Sequence, residues 1–153
     1  MTSIYQINSA TRIRFARRFL ISLSRMRRAS TLGPPSDEEI RTRTRRIRIV
    51  SYSSMAFAVG SSRAWSRALV LKIRNRARFR GILRNKCLAS KKKRVIKRHK
   101  VSREMSKTDM LRRLVPGGAG MGICGLLEET AHYMTCLATQ VKVMQSIADH
   151  YSK

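Results

Sequence analysis

The chain has 153 residues, 34 of them Lys or Arg against 8 Asp or Glu, for a formal net charge of +26; that length suits one modest domain with extensions. The excess sits at one end, since residues 1–103 hold 29 Lys and Arg against 3 acids and residues 104–153 hold 5 against 5. Such a charge calls for a polyanionic partner or an acidic protein surface, because self-repulsion opposes compaction, while three cysteines (Cys87, Cys124, Cys136) without paired spacing argue against a disulfide framework or a four-ligand zinc site and fit a reducing compartment.

From Arg12 to Arg28, Phe15, Phe19, Leu20, Leu23 and Met26 recur every three to four residues among arginines, which predicts a basic amphipathic helix. The first 36 residues are arginine- and serine-rich and acid-free, so a mitochondrial transit peptide is the competing reading of this helix. The stretch from Gly33 to Glu39 reads as a linker, with Ser36 as a helix cap and the acids Asp37, Glu38 and Glu39 ready for the next helix start. Between Ile40 and Val50, arginine alternates with Thr and Ile; strand-like alternation competes with a charged helix there, and continuity with the helical pattern beyond Val50 favours helix. Ser51 to Arg80 reads as two helices separated at Gly60-Ser61-Ser62, the second beginning near Ser62. Trp65, the single tryptophan, is expected to pack on a small core.

Residues 81–100 are intensely basic. Lys91, Lys92, Lys93 and Arg94, with Lys97 and Arg98 close behind, have the clustering of a nuclear-localisation signal, with a solvated cationic linker as the alternative. A helix is then expected over 101–115, carrying Val101, Met105, Leu111, Leu114 and Val115 and ending at Pro116-Gly117, because proline disfavours α geometry in the residue before it and glycine accepts a left-handed turn. Five glycines over 117–125 break the pattern, and Gly125 is expected to cap a second helix with Glu128 and Glu129 in its first turn. That helix, 126–151, carries Leu127, Thr130, Met134, Leu137, Val141, Met144, Ala148 and Tyr151 in alternating steps of three and four, the seam of a coiled interface. A hairpin of about fifty residues is near the size at which a fold needs support, so it should pair with another chain or belong to a larger intramolecular bundle.

The run Leu111-Arg112-Arg113-Leu114-Val115-Pro116-Gly117-Gly118, the block Leu126 to Met134, the segment Gln140 to Gln145, and an upstream block from Ser51 to Leu69 together resemble the plant atypical basic helix-loop-helix (bHLH) proteins, in particular the subgroup that binds the increased-leaf-inclination type of small helix-loop-helix protein. The resemblance implies an all-α fold in which the helix-loop-helix forms a parallel four-helix bundle on dimerisation. It divides the chain into three segments: a basic amphipathic helix with linker at 1–36, a basic helical region at 37–90, and an atypical bHLH domain at 91–153. It implies a dimer interface on Leu111, Leu114, Val115, Leu127, Met134, Leu137, Val141 and Met144, with the preceding basic helices loosely attached. The first helix belongs to the mature protein if the resemblance holds, since the subgroup has one at the same place.

DNA-binding members of that family read a hexameric site with a histidine, a glutamate and an arginine on the first helix. Counting back without gaps from Leu111, these positions fall at Lys93, Lys97 and Val101; the resemblance puts Ile123 where DNA-binding members carry a phosphate-contacting loop lysine. A lysine in place of the glutamate is a donor facing base amino groups that are themselves donors, so base discrimination is lost while sequence-tolerant phosphate contact survives. The resemblance thus implies a nuclear negative regulator that heterodimerises with DNA-binding bHLH activators and restrains brassinosteroid-linked cell elongation. The alternatives are a DNA-binding bHLH factor and a basic, ribosomal-type nucleic-acid binder.

No catalytic constellation, cofactor motif or metal set is expected. The glycines of 117–125 lack a P-loop lysine, and His132 with Cys136 supplies only two ligands. With no apolar run of membrane-span length and no secretory leader pattern, the chain reads as soluble and intracellular.

Overall fold

A computed structural model describes residues 7–28, 36–86 and 106–152. Their regular structure is entirely helical: α1 (Ser9–Arg28), α2 (Asp37–Val59), α3 (Ala64–Lys86), α4 (Lys107–Leu114), a single 3₁₀ turn (Gly118–Gly120) and α5 (Ile123–Tyr151). The all-α expectation holds, and the Arg/Thr/Ile run of 40–50 lies within α2.

Polar residues set the helix boundaries. Asn8 Oδ1 accepts from the backbone N–H of Thr11 at 2.8 Å at the start of α1. Ser36 Oγ accepts from Glu39 N at 3.3 Å at the start of α2, and Asp37, Glu38 and Glu39 fill that first turn; a cap of this kind contributes about 1 kcal/mol. Gly60, at φ +85, ends α2. The buried Ser66 hydroxyl then ties α3 to it, lying 2.8 Å from Ala56 O and 2.7 Å from Gly60 O and sharing one proton between them.

The core lies where α1, α2, α3 and α5 meet. Phe15 and Phe19 stack at 5.7 Å on the inner face of α1, and with Met55, Ala56, Ala58, Trp65, Leu69, Val115, Leu126 and Cys136 they form one buried cluster. The amphipathic pattern of α1 is realised with one exception: Leu23 and Met26 are half-buried, but Leu20 is exposed. The N-terminal helices are not loosely attached, as the sequence suggested. Trp65, at 0% exposure, and Leu126 share the core across α3 and α5, because α5 has a second apolar side for them to cover.

The turn after α4 obeys its local chemistry. Val115 is extended at φ −85, ψ 125, as the proline after it requires. Gly117 is left-handed at φ +80, and a Cβ there would come within 2.8 Å of Ala68 Cβ on α3. Arg112 reaches back across the turn to the carbonyls of Gly118 and Met121. α5 begins at Ile123 with Gly122 as its cap, three residues earlier than expected, so Glu128 and Glu129 lie beyond its first turn.

Candidate protein-interaction site

The long helix α5 carries two stripes with different fates. The inner one runs through Leu126, Glu129, Tyr133, Cys136, Gln140 and Ile147, stepping mostly by three and four residues and docking on α1, α2 and α3. The outer one is the seam read from the sequence, and its Leu127, Met134 and Val141 are 56%, 63% and 63% exposed. An apolar row at heptad spacing left uncovered in a monomer is a candidate interaction surface.

Polar and aromatic contacts near the N-terminal end of α5 fix which stripe faces inward. Trp65 Nε1 donates to His132 Nδ1 at 3.1 Å, and the Trp65 backbone N–H donates to Glu129 Oε2 at 2.9 Å. Arg63 Nη1 donates to Glu128 Oε1 at 2.8 Å and lies 3.7 Å from Glu129 Oε1. The Trp65 and Tyr133 rings meet with centroids 4.9 Å apart, tilted by 45°. Further along, Gln140 Nε2 donates to Ser51 Oγ at 3.3 Å on α2.

The inner stripe perturbs its ionisable groups. Burial, reinforced by the charge of Arg63, lowers the pKa of His132. The indole N–H aimed at Nδ1 makes that nitrogen the acceptor, which puts the proton of the neutral ring on Nε2. Burial raises the Tyr133 phenol and pushes the Cys136 thiol up to about 12. Cys136 Sγ lies 3.6 Å from His132 Nδ1. Among the described residues no group of three or more His, Cys, Asp or Glu could hold a metal ion, and no helix is long and apolar enough to cross a membrane.

The other residues proposed for dimerisation are distributed unequally. Leu137 is half-buried; Leu111 and Met144 are half-buried against the monomer core, and Val115 is inside it at 3% exposure. Leu114 is 74% exposed and lines a groove between α2 and α3. The structure therefore gathers Leu127, Met134 and Val141 on a free face, while Val115 serves the interior. The localisation positions Lys91, Lys92, Lys93, Arg94, Lys97 and Arg98, and the DNA-reading positions Lys93, Lys97 and Val101, lie outside the described residues.

Sequence reading missed the bridge from Arg63 and Trp65 to Glu128, Glu129 and His132. A signal was present: Leu126, Tyr133, Cys136, Val143 and Ile147 recur beside the outer seam, and a helix apolar on two sides needs cover on both.

A family model described as the IBH1-like N-terminal domain matches residues 8–77, which take in α1, α2 and most of α3. Over a 172-residue alignment the chain is 37% identical to "Transcription factor IBH1" of Oryza sativa subsp. indica and 36% identical to that of subsp. japonica, in each case across 94% of this chain and 81% of the relative. It is also 44% identical over 39 residues to "Transcription factor PAR1" of Arabidopsis thaliana, covering 26% of this chain and 33% of that protein. No solved structure matches. With the upstream block around Trp65 built into the core and the match running nearly end to end, the chain belongs to the IBH1-like family of transcription factors.

Proposed function

We propose that this transcription regulator acts negatively. Through the outer face of α5 it pairs with helix-loop-helix proteins, DNA-binding bHLH activators among them, and withholds them from DNA in the nucleus. The observation that carries the reading is the exposure of Leu127, Met134 and Val141 on a helix whose opposite face is already satisfied within the monomer. The partner's helices would complete a parallel four-helix bundle. A dimer with one competent reader keeps specific contacts to a single half-site, which lowers site affinity by orders of magnitude.

The basic segment supports the same reading. Lys93, Lys97 and Val101 stand where DNA-binding relatives of the resembled family carry base-reading side chains, so the segment retains charge for phosphates and nuclear import without a base code. Restraint of brassinosteroid-linked cell elongation is the physiological outcome that the resemblance implies. The test is a gel-shift titration of a hexameric-site probe with a DNA-binding bHLH activator at physiological salt. Adding this protein should remove the activator's shifted band, and Met134→Glu or Val141→Glu, both exposed in the monomer, should restore it. A new specific supershifted band, or tight sequence-specific binding by this protein alone, would overturn the antagonist reading in favour of a DNA-binding factor.

A further inference from the structure

A groove of about 820 Å³ runs between α2 and α3, and the end of α4 and the turn after it contribute Leu114 and Pro116 to its lining. Its bottom is apolar, with Leu69 buried and Ile49, Ile73 and Tyr133 half-buried. Along its sides stand the exposed cations Arg41, Arg48, Lys72 and Arg76, and no acidic side chain lines it. We infer that this groove is a docking site for an acidic amphipathic helix of a partner protein, whose apolar side chains enter the groove while its carboxylates meet the flanking cations.

Charge and spacing select that occupant. Arg41 and Arg48 are seven residues apart on α2, and Lys72 and Arg76 four apart on α3; these are two turns and one turn of a helix, the intervals at which a third helix laid alongside presents its own side chains. A helix in an apolar groove is anchored at i, i+3 or i+4, and i+7. None of the described acids lines the groove; Glu39 pairs with Arg43, Glu128 and Glu129 with Arg63, and Asp149 accepts from Gln145. Residues 87–105 carry eight Lys and Arg against the single acid Glu104, a composition that does not complement a groove flanked by cations. A nucleic acid could neutralise those cations, but Ile49, Leu69 and Ile73 would then face phosphate and sugar, and branched aliphatic side chains offer no stacking surface to a base. A helix that buries them satisfies both the charge and the apolar lining.

The inference does not rest on the proposed pairing through α5, and one experiment separates the two. Fluorescence anisotropy on the full chain would use a labelled synthetic peptide of about 18 residues, leucine and phenylalanine on one helical face and glutamate on the other. Comparison probes are a scrambled peptide of the same composition, poly-glutamate of equal length, and a single-stranded oligonucleotide. The amphipathic peptide should bind about ten-fold tighter than either comparison peptide. Arg48→Glu combined with Lys72→Glu should remove that advantage at unchanged helical content by circular dichroism, and Leu114→Ser, at an exposed position, should weaken binding several-fold. Met134→Glu, on the outer face of α5, should leave it intact. Equal binding of scrambled peptide or poly-glutamate would reduce the site to charge alone and overturn the inference. So would loss of binding in Met134→Glu, which would move the peptide to α5, or displacement by the oligonucleotide with the same dependence on Arg48 and Lys72, which would assign the groove to nucleic acid.

Discussion

Trp65 and His132, 67 positions apart in the sequence, meet across α3 and α5 through an indole N–H held 3.1 Å from Nδ1. This hydrogen bond joins the segment matched by the family model to the long helix, and it requires a neutral imidazole, because a protonated ring has no acceptor.

Stability should therefore fall as the solution is acidified. Burial depresses the pKa of His132 below its ordinary 6.5, so between that lower value and 6.5 the unfolded chain binds more protons than the folded one and stability rises with pH. The contribution is complete above about 6.5 and is lost progressively below it. Thermal melts from pH 7.5 to 5.5 should show this loss, and His132→Asn, which keeps an acceptor near Nδ1 but does not titrate, should flatten the profile. An unchanged slope in that variant would mean that other groups govern the acid limb.

Trp65 is fully buried, and truncating a buried aromatic to alanine costs about 3 to 5 kcal/mol. Urea titration of Trp65→Ala should shift the midpoint accordingly. As the single tryptophan, Trp65 also reports on its own environment. In the wild type its fluorescence should change together with loss of helical ellipticity, and separate transitions would show that α3 leaves α5 before the helices melt.

Two of the cysteines should differ sharply in reactivity. Cys124 is exposed, whereas Cys136 is buried with its thiol pushed up to about 12, and the thiolate is the reactive form. Iodoacetamide at mildly alkaline pH, with peptide mass spectrometry as the readout, should label Cys124 in the native protein and Cys136 only after denaturant is added. Equal labelling of both would show that α5 opens readily from the core.

Gly117→Ala should destabilise the chain by about 1 to 3 kcal/mol, the range for a non-glycine residue held at positive φ, with the clash against Ala68 adding to it. Gly120→Ala is the control: its Cβ meets nothing within 4 Å and its backbone is not left-handed. Equal urea midpoints for the two variants would contradict the described turn.

The features legible in the sequence were mostly local. Ser36 announced α2 because its hydroxyl caps a residue three positions away, and Val115-Pro116-Gly117 announced the turn because each residue restricts its own backbone or its neighbour's. The outer stripe of α5 was legible for the same reason, being a period along one helix. The start of α5 is not legible in the sequence because five glycines resemble a continuous break, whereas Gly125 lies within the helix and Gly122 caps it. Glu128 and Glu129 then looked like first-turn acids; their partners Arg63 and Trp65 stand more than 60 residues upstream, and no local pattern encodes a pairing at that distance. The groove is hidden for a similar reason, since Arg48 and Lys72 face a common space only once α2 and α3 have folded together.

The docking of α5 also bears on how fast and how tightly a partner can associate. A free segment of this length would have to become helical at the moment of encounter, giving up backbone entropy on the order of 1 kcal/mol or more for each residue fixed. Here Phe15, Met55 and Trp65 belong to the core against which α5 is already ordered, so that loss is incurred in folding the monomer. Apparent affinity then scales with the fraction of molecules in which α5 is seated. A substitution such as Phe15→Ala, in the core rather than on the outer face of α5 proposed for pairing, should therefore slow association in proportion to that fraction while leaving the dissociation rate of complexes already formed unchanged.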